Sequence, residues 1–201
     1  MDAPSHEGEA FVEVDWRSRT LTGGSYTRCS FDVAALAELT TRDCRFDACT
    51  FVNADLSGSR HVGSGFLNCR FDGANLATAT FDGCKLTGSD LSSARLFGLT
   101  VLAGDWSYTN LRLTDLRGLD LRDLRLTGAD LTEADLGGTD LRGVDLSEAT
   151  VRKARFDDAD LTGATLGAID LAEASFRGAR LDLAGAVALA EAHGAVVAVA
   201  G

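Results

Sequence analysis

Every fifth residue from Phe11 to Leu181 is large and apolar, and no insertion or deletion shifts the phase. Of the 35 positions in this series, only Thr41 and His61 are not Phe, Leu, Val, Trp or Tyr. A chain that is 45% hydrophobic would fill roughly 16 of them by chance, so the pattern is an internal repeat. A period of five excludes the ordinary elements. Five residues of α-helix advance the side chain by about 500°, a net turn of about 140°, which spirals round the helix and makes no core stripe. A straight strand alternates its faces, so an odd step sends successive members to opposite sides. The chain must turn about once per repeat to bring each large residue back to a common axis, which describes a narrow solenoid.

A second phase agrees. The residue two before each large one is mostly small, as in Ala54, Ala74, Ala129, Ala134, Ala154 and Ala159, and it also faces inward. The residue just before the large one is often Asp or Asn, and the two after it are commonly Ser, Thr, Arg or Gly; these face water. Segments such as Ala129-Asp130-Leu131-Thr132-Glu133 and Ala159-Asp160-Leu161-Thr162-Gly163 are units of this kind.

The unit A-(D/N)-L-x-x resembles the signature of pentapeptide repeat proteins, over nearly the whole chain. The resemblance implies an all-β solenoid, a right-handed quadrilateral β-helix with four pentads per coil. Thirty-five pentads then make a little under nine coils, a rod of roughly 40 Å at the usual strand spacing. Residues 1–10 read as a flexible leader, 11–181 as the solenoid and 182–201 as a C-terminal helix and strand for capping and dimerisation. Asp182 suits the N-cap of a helix from about Leu183 to His193, Gly194 suits its stop, and 195–200 read as a short apolar strand. Both elements are too apolar all round for a cap facing water. Dimerisation through Leu183, Val187, Leu189, Ala190, Val196 and Val197 is therefore preferred to a monomeric cap.

Little in the chain supports catalysis. Cys29, Cys44, Cys49, Cys69 and Cys84 all fall in the small inward phase without C-x-x-C spacing, which reads as buried thiols rather than a metal or redox site. His6, His61 and His193 are scattered, and His61 is expected in the core, satisfied by a backbone group. The glycines follow the turn phase and form no phosphate loop. No metal, cofactor or enzymatic activity is expected. Neither an export signal nor a membrane span is apparent, and the chain reads as cytoplasmic.

Thirty acidic against nineteen basic residues give a net charge of −11, which disfavours direct nucleic-acid binding and suits a basic protein surface. Residues 1–100 carry 13 acidic and 9 basic side chains, net −4, and residues 101–201 carry 17 and 10, net −7. With twenty residues per coil, Asp120, Asp140 and Asp160 stack into a ladder, Asp115 and Asp135 into a second, and Asp130 falls in a broken third. These six are candidates for a partner-binding surface; the alternative is that such aspartates bond nearby turn N–H groups, with Arg122 and Arg142 offsetting the ladder. Phe97 and Leu102, in an outward phase, are candidates for an exposed apolar contact. The tail from Arg180 to Gly194 is similar to that of the Qnr- and MfpA-like branch of the family. That similarity implies a dimer that mimics DNA, binds DNA gyrase or another type II topoisomerase, and protects it from quinolone-like or natural poisons. A scaffolding role with another partner is the alternative. The unbroken register leaves no room for the projecting loops of Qnr-like proteins.

Overall fold

The computed structural model describes residues 4–167 and 169–198. Parallel pairing at a separation of twenty residues runs from Ser5↔Ser25 to Asp160↔Arg180, so four pentads make one coil of a β-helix. The short strands lie on two adjacent faces of the N-terminal coils: β1 (Ser5–Glu7), β2 (Thr20–Thr22), β3 (Ser25–Thr27), β4 (Thr40–Arg42), β5 (Arg45–Asp47), β6 (Arg60–Val62) and β7 (Gly65–Leu67). Two longer strands, β8 (Thr80–Lys85) and β9 (Thr100–Asp105), follow, and beyond them the coils are joined by isolated bridges.

The corners explain how a period of five closes into a square. The residue two after nearly every large one takes a left-handed backbone, as at Glu13 (φ 56), Val33 (φ 57), Gly58 (φ 64) and Glu133 (φ 59), with Ser93 and Glu173 as exceptions. One such residue per pentad turns the chain and returns the next large side chain to the interior. Non-glycine residues at these corners carry a steric cost that the surrounding ladder of backbone hydrogen bonds overrides.

The core is a single column of stacked layers. In the N-terminal coils it is aromatic: Phe11, Phe31, Phe51 and Phe71 stack face to face on one side, and His6, Tyr26, Phe46 and Phe66 on the next. Leucine takes over beyond Phe81, except for Trp106, packed edge-on against Phe81, the stacked pair Phe156 and Phe176, and the valines Val101 and Val151. All five cysteines are buried and free.

Three expectations need correction. The solenoid begins inside the segment read as a flexible leader, because Ser5–Glu7 pairs with Ser25–Thr27 and His6 occupies the large phase, stacked on Tyr26. His61 is satisfied by hydroxyls rather than by a backbone group. Helix α1 (Leu183–Ala192) forms nearly as expected, but residues 195–198 make no strand; Val199 and Ala200 lie outside the described residues.

Candidate functional site

The aspartate before each large residue acts first on its own corner. Its carboxylate accepts the N–H of the residue two further on, as in Asp120 to Arg122 (3.2 Å), Asp130 to Thr132 (2.9 Å), Asp135 to Gly137 (3.0 Å), Asp140 to Arg142 (3.2 Å) and Asp160 to Thr162 (3.0 Å). This is the local turn-stabilising bond that short acidic side chains offer. Where successive coils both carry the aspartate, this holds the second carboxylate oxygen outward at the same place on each.

Coil stacking then builds the columns. Asp120 pairs with Asp140 and Asp140 with Asp160, while Asp115 pairs with Asp135. Asp130 sits between Asn110 and Thr150, so it has no acidic neighbour in its column. The ladders are interleaved with arginine. Arg122 grips Asp120 with two nitrogens (2.8 and 2.6 Å), Arg142 grips Asp140 (2.9 and 2.6 Å) and Arg117 grips Asp115 (2.8 and 2.6 Å). These guanidinium groups hold the three carboxyls below the ordinary carboxylate range, and the Thr162 hydroxyl does the same for Asp160. Such two-pronged pairs fix geometry more than they add stability at an exposed surface.

The charge is therefore not concentrated on one face. Between residues 111 and 182, the face with the longest ladder carries Asp120, Asp123, Asp140, Asp160 and Asp182 against Arg122, Arg142 and Arg180, net −2. Each of the other three faces is net −1 over the same span. The rod presents a weakly negative cylinder with alternating carboxylates and guanidiniums.

The family model for pentapeptide repeats matches eight copies over residues 66–98, 104–132, 125–163 and 154–184, more than half of the chain. The chain is a pentapeptide repeat protein. Among solved structures it is similar to a trypsin-treated form of QnrB1, a plasmid-mediated fluoroquinolone resistance protein, with 24% identity over 98% of each chain and a TM-score of 0.81. Full-length QnrB1 matches at 23% identity over 95% of this chain and 100% of that one, TM-score 0.77. HetL, a pentapeptide repeat protein involved in heterocyst differentiation regulation in the cyanobacterium Nostoc, matches at 23% identity over 88% and 84%, TM-score 0.52. At these identities the likeness establishes the fold. No curated protein matches the chain by sequence.

At the C-terminal end of this pentapeptide repeat protein, Asp182 caps α1 by accepting from Gly185 N (2.9 Å) and ties it to the rod by accepting from Gly163 N (3.0 Å). Ala188, Leu189 and Ala192 pack back on the core, and Gly185 is buried against Leu181. Leu189 thus serves first to dock its own helix. Leu183 (81% exposed) and Val196 (96%) face solvent with Val197, and Val187 is half-buried. Phe176, Leu181, Ala186, Leu189 and Ala190 line an open apolar groove of about 510 Å³ at the rod end.

In the interior, His61 lies between Thr41 and Phe81 in one column. Its Nδ1 meets Thr41 Oγ1 at 2.8 Å and its Nε2 meets Ser59 Oγ at 2.9 Å, while Thr41 Oγ1 also meets Ser64 Oγ at 2.9 Å. Burial pushes its pKa down to about 3, so it stays neutral and bonded in the core. Among the described residues no helix is long and apolar enough to cross a membrane, and no group of three His, Cys, Asp or Glu side chains is arranged to hold a metal ion.

Proposed function

We propose that this protein is a cytoplasmic DNA mimic that docks on the DNA-handling surface of a type II topoisomerase such as DNA gyrase. It would protect that enzyme from quinolone-like or natural poisons, or modulate its response to them. The observation that carries the reading is the acidic rod itself. Carboxylates recur at coil spacing on two faces of the C-terminal half, in the columns of Asp115 and Asp120, every face there carries a net negative charge, and the chain as a whole is net −11. A negative cylinder of this kind suits a basic groove that accepts a duplex, with attraction that weakens as salt rises. The end-to-end structural likeness to QnrB1, a fluoroquinolone resistance protein, supports this reading. Two rods joined through α1 and the apolar tail would double the length of the mimic.

The arginine grip on Asp115, Asp120 and Asp140 favours the second reading, a scaffold for another partner, because it spends part of the charge within the rod. Supercoiling by purified gyrase, with and without a cleavage-stabilising drug, separates the two. The mimic should change activity or drug sensitivity, and no effect in either arm would leave the scaffold reading. The triple variant Asp120→Asn, Asp140→Asn, Asp160→Asn keeps an oxygen for each turn N–H while removing three charges. It should fold normally and weaken the effect several-fold at low salt.

A further inference from the structure

Two joins between coils differ from their neighbours, and the wider one spans two adjacent faces, those of Leu96 and Val101. Elsewhere on these faces the N–H of each large residue donates to the carbonyl nineteen residues on, as in Leu76 to Arg95 (2.9 Å) and Leu116 to Asp135 (2.8 Å). The N–H before it donates to the carbonyl twenty-one residues back, as in Asp135 to Thr114 (2.9 Å). Among the described residues neither bond forms at Leu96, Gly98, Val101, Asp115 or Asp120. The bridges Asn75↔Arg95 and Asp115↔Asp135 form on either side, but Arg95 and Asp115 do not pair. Two adjacent faces are thus parted at one level of the rod while the other two stay joined, through Asp90↔Asn110 and Asp105↔Arg125.

The parting is a cavity of about 650 Å³ bounded by Arg95, Leu96 and Phe97 below and Asp115, Arg117 and Leu119 above. Phe97, 83% exposed, stands at its rim, and Leu102, 48% exposed, stands on the adjoining parted face. Polar or small residues fill most of the equivalent positions on other coils. Arg95 makes no ion pair among the described residues, whereas Arg117 is held by Asp115.

We propose that this seam binds an extended, apolar segment of a partner protein that carries a carboxylate. Unpaired N–H and C=O groups at strand spacing are satisfied best by another peptide backbone, as in strand addition to an open sheet edge. Phe97 and Leu102 select apolar side chains on that segment, and Arg95 selects an acidic one. A nucleic acid strand fits poorly, because it carries a charge at every nucleotide whereas Arg95 is the one cation of the lining not held by Asp115, and the rest of the lining is mostly apolar. The second, smaller opening, between Val151 and Asp170, lacks its ladder bonds too, but its walls are charged, formed by Glu148, Arg152, Asp170 and Glu173, and among the described residues no exposed large apolar side chain stands beside it.

The test needs no topoisomerase, so it stands apart from the function proposed above. Hydrogen exchange on the free protein should show the amides of Leu96, Gly98, Val101, Asp115 and Asp120 exchanging at least about tenfold faster than those of Leu76, Leu116 and Asp135. A random heptapeptide display library, panned against the full chain, should enrich sequences with alternating apolar residues and at least one acid. Their binding should slow exchange at those same amides. Phe97→Asp and Leu102→Asp, both at exposed positions, should fold as the parent and lose at least about tenfold in affinity for the selected peptides; Arg95→Glu should lose affinity for the acidic ones. Uniform protection across the seam in the free protein would overturn the proposal. So would a failure to enrich any peptide, or peptides whose binding ignores Phe97→Asp and leaves the seam amides unchanged.

Discussion

At the scale of single residues, His61 ties stability to pH. It is held neutral in the core with a pKa of about 3, against an ordinary value of 6.5 in the unfolded chain. Between these values the unfolded state binds a proton that the native state refuses, so stability falls as pH drops below 6.5 and continues to fall toward 3. The slope approaches about 1.4 kcal/mol per pH unit well inside that window. His61→Leu should flatten the dependence of unfolding free energy on pH between 6.5 and 4, measured by denaturant titration, whatever it does to stability at pH 8. A parallel slope in the variant would assign the effect to other groups. The interior position of His61 was legible from the five-residue phase, but its partners were not. The signal was present: Ser59 and Ser64 both fall in the small inward phase where alanine is usual, and Thr41 precedes His61 in the column. Two hydroxyls on the imidazole, with Ser64 bonded in turn to Thr41, replace the backbone acceptor that the general habits of buried histidine suggest.

Secondary elements show where local reasoning holds and where it depends on neighbours. Helix α1 was legible because its signals are local: Asp182 as cap, a run of good helix formers, and Gly194 at φ 83 as the stop. The apolar run after it forms no strand over 195–198, since a strand needs an edge and the last coil is occupied by α1. The first coil was missed for the opposite reason: Ser5–Glu7 is too polar to suggest burial, yet an edge waits for it on β3. The seam between Leu96 and Asp115 marked the sequence only through the outward Phe97 and Leu102, because the parting itself is a property of how successive coils meet. Asp182 links these levels, as one carboxylate caps α1 and holds it to Gly163. Those two N–H bonds keep its pKa below the ordinary 3.8, so the tie is complete above pH 4 and is lost as pH falls through the lowered value. Asp182→Ala should speed exchange of the first-turn amides of α1 and of Gly163 N–H by roughly five- to tenfold, with amides of the central coils unchanged. A change spread over the whole rod would mean that α1 supports the solenoid globally.

For the whole molecule, charge and the apolar end make opposed demands, and the opposition is measurable. If two copies join through Leu183, Val187 and the Val196-Val197 tail, each brings its more acidic half, net −7 over residues 101–201, to the junction. Salt screens this repulsion and strengthens apolar association, so self-association should tighten, or at least hold, as sodium chloride rises from about 50 to about 500 mM. Docking on a basic partner runs the other way, because there screening removes attraction. Sedimentation velocity at a series of salt concentrations should therefore show a dimer that persists while partner binding, followed in parallel, declines. Leu183→Glu places a charge at the centre of the proposed junction and at a position 81% exposed in the single chain. It should yield monomers with an unchanged unfolding midpoint at high dilution, and raising salt should restore part of the association by screening the added charge. A wild-type chain that stays monomeric at every salt concentration would remove the dimer from the account while leaving the rod, its columns and its seam as they stand. A dimer that dissolves at high salt would instead place the junction on the charged faces, where Arg117, Arg122 and Arg142 of one copy could meet the carboxylates of another.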